Sequence, residues 1–303
     1  MTCQKPHPTQ LDLFNDSGAV VFANDAIAAL RNFDAVHAAV FIQRIIAEEP
    51  EYHGLDALKT LCQAVQDWPF PSSTPMEITE TVRRLEVEVQ PAVETLMRGE
   101  AKSFMRPYWL YLAKAQGSQA YDSEFPQSFC ASLYLLTVDY SSTVEAIESI
   151  PRWNENSDLV YWLCLARYPI GGLDACRSLL MRLAFLTPKR LPALISKIAD
   201  PQIRKEWIAF KSEFDWLDPE GETTGAWFPV WQLLEHSDMK IASDAVPSLE
   251  VRPVQAFDLL SRLIKLEKRG LSPALVSLRS QLRDLDQNLF AVYMARRSTA
   301  QLK

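Results

Sequence analysis

Along nearly all of this 303-residue chain, apolar side chains return every three or four positions, the period of a helix with one face turned inward. Ile78, Val82, Leu85, Val89, Val93 and Leu96 make one such stripe, and Leu55, Leu58, Leu61, Cys62 and Val65 make another. A strand buries alternate residues, and no segment reads convincingly in that period. Rods with one oily face must lie side by side to hide it, so the pattern predicts an all-α protein of antiparallel helix pairs. The chain has only 9 glycines. At roughly 3% against a typical ~7%, they argue against a fold built on tight turns or phosphate-cradling loops.

Start and stop signals divide the pattern. Helices are predicted over 17–30, 34–48 and 55–66, with Asp34 as the N-cap of the second and Pro50 beyond its end. Three prolines between 67 and 75 forbid a continuous helix there. Thr74, Pro75 and Glu77 then read as a capping box with proline at the first helical position. Pro91 should kink the helix that follows, and Gly99 should end it. Further helices are expected over 104–115, 124–138, 142–149, 158–167, 173–186, 190–199 and 201–214. The irregular, acidic stretch 215–225 leads into Trp227 and a short helix up to Glu235. A helix over 254–268 and a second arm joined by Gly270, Ser272 and Pro273 predict a C-terminal hairpin. Leu275, Leu278, Leu282, Leu285, Leu289 and Val292 form a continuous heptad seam along that second arm. The organisation implied is 1–70, 71–226 and 227–303, as one continuous domain or two closely packed.

Three stretches share one order: an apolar helix, a break carrying Asp, a second helix, then proline. They are 22–50 around Asp34, 129–151 around Asp139 and 159–188 around Asp174, with Asp-to-Pro distances of 16, 12 and 14, so the period varies. Ala26, Ala38, Ile42, Ile45 and Pro50 in the first stand where tetratricopeptide (TPR) repeats put small residues at the helix crossing and proline after it. Cys164, Cys176, Leu180, Leu183 and Pro188 do so in the third. Over about a third of its length the chain resembles TPR-like helical repeats. The large aromatic of the first TPR helix and its glycine partner are absent from both stretches. The phrases Ile150-Pro151-Arg152-Trp153 and Trp227 to Trp231 look like those of bacterial proteins, a likeness that implies no function. The TPR resemblance implies an irregular α-solenoid, closed here by the C-terminal hairpin, whose concave face binds a peptide or partner protein.

The formal charge of −7 makes the molecule as a whole repel nucleic acid and anionic lipid. The charge is uneven: residues 254–303 hold 9 Lys and Arg against 4 Asp and Glu, a local +5 against −12 for the rest. Arg279, Arg283, Arg296 and Arg297 are therefore candidate contacts for an anionic partner. A nucleic acid would have to bind there, and the acidic body of a second copy is the nearer alternative. Five cysteines, widely spaced and mostly in apolar helical stretches, predict reduced thiols and a cytoplasmic protein rather than a disulfide framework. No apolar run approaches the ~18 residues of a membrane span.

Motifs that specify a reaction are missing from the sequence. The four histidines lie far apart, with no H-E-x-x-H or C-x-x-C, so no metal is expected. No glycine-rich phosphate loop or G-x-S-x-G occurs, so no cofactor is expected either. An enzyme of unrecognised class, with a site between helices, is the alternative to an interaction module. For the module, aromatic clusters are the candidates: Trp227, Phe228 and Trp231 after a polar loop, and Trp109 and Trp162 within helices. The competing reading for each ring is core packing, and for each arginine a solvated outer face.

Overall fold

The computed structural model of the chain describes residues 18–117, 120–214, 216–217, 223–238, 246–247, 251–267, 270 and 272–301. Among these residues the protein is all-helical, with no strand. Contacts divide the chain into two compact units, Met1–Val138 and Asp139–Lys303.

In the first unit α1 (Gly18–Arg31) turns back through Phe33 onto α2 (Ala35–Glu48), which packs on α3 (Leu55–Gln66). Phe33 takes a positive φ of 57°. Asp34 Oδ1 accepts the His37 backbone N–H at 3.0 Å, satisfying one of the unpaired donors of the new helix. Ala26, Leu30, Ala38, Ile45, Leu58 and Leu61 are fully buried. Small residues at the α1–α2 crossing let the two backbones approach. Each buried leucine or isoleucine contributes about 2 kcal/mol of hydrophobic free energy.

The capping box opens α4 (Pro75–Arg84): the Glu77 N–H donates to Thr74 Oγ1 and the Thr74 N–H to Glu77 Oε2, both at 3.2 Å. The kink expected at Pro91 takes the form of a π-helical turn, Leu85–Val89, just before α5 (Gln90–Met97). Proline offers no N–H and crowds the carbonyl four residues back, so the turn in front widens to relieve it. Helix α6 (Ala101–Gln116) runs through Pro107, and a short 3-10 turn precedes α7 (Cys130–Leu136).

The second unit begins with α8 (Tyr140–Glu148), capped by Asp139, whose Oδ1 accepts the Ser142 N–H at 3.1 Å. Helix α9 (Ser157–Leu186) is broken at Gly172, where φ 68° and ψ −163° leave the helical region. Only glycine adopts that pair without strain, so the break falls at the expected boundary of two helices. Then come α10 (Leu191–Ile198), α11 (Pro201–Glu213) behind the N-cap Asp200, and α12 (Phe228–Glu235).

The C-terminal hairpin pairs α13 (Arg252–Glu267) with α14 (Pro273–Leu285), which starts at the Ser272 cap and Pro273 as predicted. The second arm departs from expectation. The seam of Leu275 to Val292 is not one helix, because the backbone leaves helical geometry at Asp286 (φ −157°, ψ 112°) and restarts as α15 (Gln287–Gln301). Asp286 Oδ1 accepts the Leu289 N–H at 2.9 Å, and Arg252 Nη2 holds its other oxygen at 3.1 Å. Apolar spacing carries on across the break, so the pattern hides it. The aspartate's affinity for a cap position decides it.

Candidate interaction surfaces

Four of the five aromatic candidates lie inside. Trp227, Phe228 and Trp231 are only 6%, 1% and 3% exposed. Phe228 stacks on Trp231 at 6.0 Å, while Phe210 lies against both rings and Trp207 edges onto Phe228. Trp231 Nε1 donates to Glu213 Oε2 at 2.6 Å, so its one polar atom is also satisfied internally. Trp109 is 3% exposed, beside a ring cluster in which Trp68 meets Tyr108 edge-on at 4.9 Å. Burial pushes the Tyr108 phenol well above its ordinary pKa. Trp162 is half-buried on α9. The four buried rings fill the gaps between helices, and no exposed aromatic patch forms at Trp227. The polar loop before it suggested exposure, but loop composition says nothing of which side the following helix turns inward.

Three of the four candidate arginines are taken up by carboxylates of the same unit. Glu267, at the end of α13, receives the Tyr293 hydroxyl of α15 at Oε1, together with Arg279 Nη2 of α14 at 3.1 Å. Arg297 Nη2 of α15 stands 2.5 Å from Glu267 Oε2, off the hydrogen-bond axis, as a Coulombic contact. Arg279 Nε also donates to the Tyr293 oxygen at 3.1 Å. Burial, then the bond to Glu267, raises the Tyr293 pKa. The bond to Tyr293, ahead of that to Glu267, raises the Arg279 pKa. Arg296 grips both oxygens of Glu213 at 2.7 and 2.5 Å and lies 2.7 Å from Glu235. Arg283 alone faces solvent, with Nε 3.6 Å from Asp284. Pairing occupies these arginines one by one, which works against the anionic-partner reading, although Glu267 is already counted in the local +5 and only Glu213 and Glu235 come from outside the segment to lower it. Lys268 and Arg269, part of the same basic run, lie outside the described residues.

A second buried carboxylate, Glu206 of α11, ties α9, α11 and α12 together. It accepts Arg177 Nη1 at 3.2 Å, Gln202 Nε2 at 3.1 Å and Gln232 Nε2 at 2.8 Å. His236 Nε2 lies 3.5 Å away without hydrogen-bond alignment. No group of three or more His, Cys, Asp or Glu side chains able to hold a metal occurs among the described residues. None of the described helices is long and apolar enough to cross a membrane.

Among the described residues an open groove lies between α13 and α14, and the sequence did not single it out. A groove runs along the pair, with volumes of ≈ 570 Å³ toward one end and ≈ 420 Å³ toward the other. Leu259, Leu266 and Leu285, each half-buried, line it, and Gln281 lies at its middle, shared by both ends. Asp258 and Asp284 flank one end, Arg262 and Lys265 the other. One signal was available. The inward stripe of α13 is Ala256, Phe257, Leu260, Leu263 and Ile264, and Leu259 and Leu266, seven residues apart, fall off it. A helix with apolar residues on two faces has a second face to cover.

Compared with family models, with curated proteins and with solved structures, the chain matches none.

Proposed function

We propose that the chain is a protein-interaction module or scaffold, an irregular TPR-like α-solenoid of helix pairs that binds a peptide or partner protein in the α13–α14 groove. The observation that carries this reading is the groove itself: an apolar floor of leucines with charged ends, along two helices whose inner faces are already satisfied. Such a trough suits a third amphipathic helix, which would complete a three-helix arrangement by burying the exposed halves of the leucines. The buried alanines at the α1–α2 crossing and Cys164 and Cys176 within α9 stand where the TPR resemblance asks for small residues, in support of the repeat reading.

A photoreactive amino acid placed at Gln281 in the native cell tests this. The expected result is a covalent adduct with a polypeptide, lost when Leu266 is replaced by Glu while circular dichroism and melting stay unchanged. Adducts equally abundant at Gln281 and at exposed Val36 of α2, and insensitive to Leu266→Glu, would refute the reading.

A further inference from the structure

Charge order along the groove names an occupant. Its acidic end (Asp258, Asp284) and basic end (Arg262, Lys265) are separated by the turn of α13 that faces Gln281. Helices rise 1.5 Å per residue, so the lined stretch of α13 is roughly 18 Å long. Of the charges in it, Asp258 and Arg262 approach each other at 3.5 Å, both more than half exposed. Asp284 is 3.6 Å from exposed Arg283. Exposed pairs of this kind hold their charges only weakly, typically by less than 1 kcal/mol, and leave them free to meet a partner.

We propose that a second copy of this chain packs on the groove about a two-fold axis lying across both helices at the level of Gln281. That rotation exchanges the ends. Asp258 then faces the partner's Arg262 and the partner's Lys265, the converse contacts repeat on the other side of the axis, and Gln281 meets the partner's Gln281, amide to amide. A two-fold axis running along the helices instead would set acid on acid and base on base. A groove shaped for a foreign segment needs only to complement that segment, whereas this one complements itself under a half-turn, the property of an isologous interface. Half-buried Leu259, Leu266 and Leu285 supply the apolar centre. Net charge of −7 on each copy opposes approach at long range, and the locally balanced groove is where that opposition is least. A contact about 18 Å long buries less than the ~800 Å² per partner of a standard interface, so the association belongs to the weak, concentration-dependent class. This inference rests on the groove being the interaction surface and goes further by naming what fills it.

Sedimentation equilibrium of the full chain, from about 10 to 500 μM to span weak association, tests it with three variants and one mixture. The wild type should self-associate. Lys265→Glu alone and Asp258→Lys alone should each weaken the dimer at least tenfold with melting unchanged, since both side chains are exposed. Lys265→Glu combined with Asp258→Lys in one chain should restore it, and so should mixing the two single variants, which then pair with each other but not with themselves. A wild type that stays monomeric at the highest concentration overturns the proposal, as does a dimer indifferent to both reversals. If, in that event, the Gln281 adduct in cells has the mass of this chain plus a different polypeptide and is lost with Leu266→Glu, the interaction-module reading stands without this one.

Discussion

Replacing Glu267 should loosen three helices at once, because its one carboxylate holds side chains from α14 and α15 at the end of α13. It accepts the Tyr293 hydroxyl and Arg279 Nη2, and Arg297 Nη2 lies at 2.5 Å. Glu267 keeps 12% of its side-chain surface exposed, and Arg279 and Arg297 keep 27% and 28%. Hydrogen bonds to a charged group are worth about 1.5–3 kcal/mol each when shielded, and partial exposure reduces that. Removing the carboxylate leaves Arg279 Nη2 and the Tyr293 hydroxyl without their acceptor and Arg297 without its counter-charge, a loss of about 3 kcal/mol, at the low end for breaking a buried ion pair. For a unit the size of 139–303, this lowers the transition by roughly 6–12 °C at 2–4 °C per kcal/mol. Glu267→Gln keeps the shape and removes the charge, so calorimetry on that variant isolates the electrostatic share, while Glu267→Ala adds the lost packing. The transition of the second unit should fall and that of the first should not. A Glu267→Gln transition within 1 °C of wild type would refute the view that this carboxylate fastens α15. The fall in Tyr293→Phe should be smaller, since it deletes the hydroxyl's bonds to Glu267 and from Arg279 Nε but leaves both arginines paired with the carboxylate.

The Tyr108 hydroxyl is fully buried without a protein partner, so Tyr108→Phe should leave stability unchanged or raise it by about 1 kcal/mol in denaturant titration; a loss larger than that would mean the hydroxyl is bonded. Burial raises this phenol's pKa in the fold, so its contribution is intact below the unfolded value of about 10 and is lost as pH climbs from there toward the folded value. Alkaline unfolding of the first unit should therefore shift upward in Tyr108→Phe, and an unaltered profile would exclude Tyr108 as its cause. Leu282→Asp puts an unpaired charge at a fully buried position of α14 and should cost about 4 kcal/mol or more, releasing the terminal hairpin to limited proteolysis; unchanged melting would place the seam in solvent. Gly172→Ala forces a Cβ into a backbone of φ 68° and ψ −163° and should destabilise the second unit by about 1–3 kcal/mol, whereas no change in melting would show that the break tolerates a side chain.

Periodicity and capping chemistry are local properties, and they were legible residue by residue. Asp34, Thr74 with Glu77, Asp139 and Ser272 each cap the helix they were expected to open or stand before, because a cap needs only a side-chain oxygen and a backbone N–H two or three residues on. The cysteines read as small hydrophobes, Cys62, Cys130, Cys164 and Cys176, are buried and free. The pattern failed where two signals competed at one place. Leucine spacing ran straight through Asp286, and the cap won because it satisfies the freed backbone groups without displacing a buried side chain.

From its amino-acid order alone the described part of the chain is all-helical, with most helices placed to within a few residues and the one expected over 124–138 shortened to Cys130–Leu136, because the free energy that selects a helix comes from neighbours within one or two turns. Which of two apolar faces turns inward, whether Trp227 is core or surface, and which carboxylate takes each arginine depend on residues tens of positions apart. Arg296 finds Glu213 from 83 residues away, and Arg31 finds Glu100 from 69. Those pairings, and the groove left between α13 and α14 once the inner stripes are spent, exist only after the helices have packed.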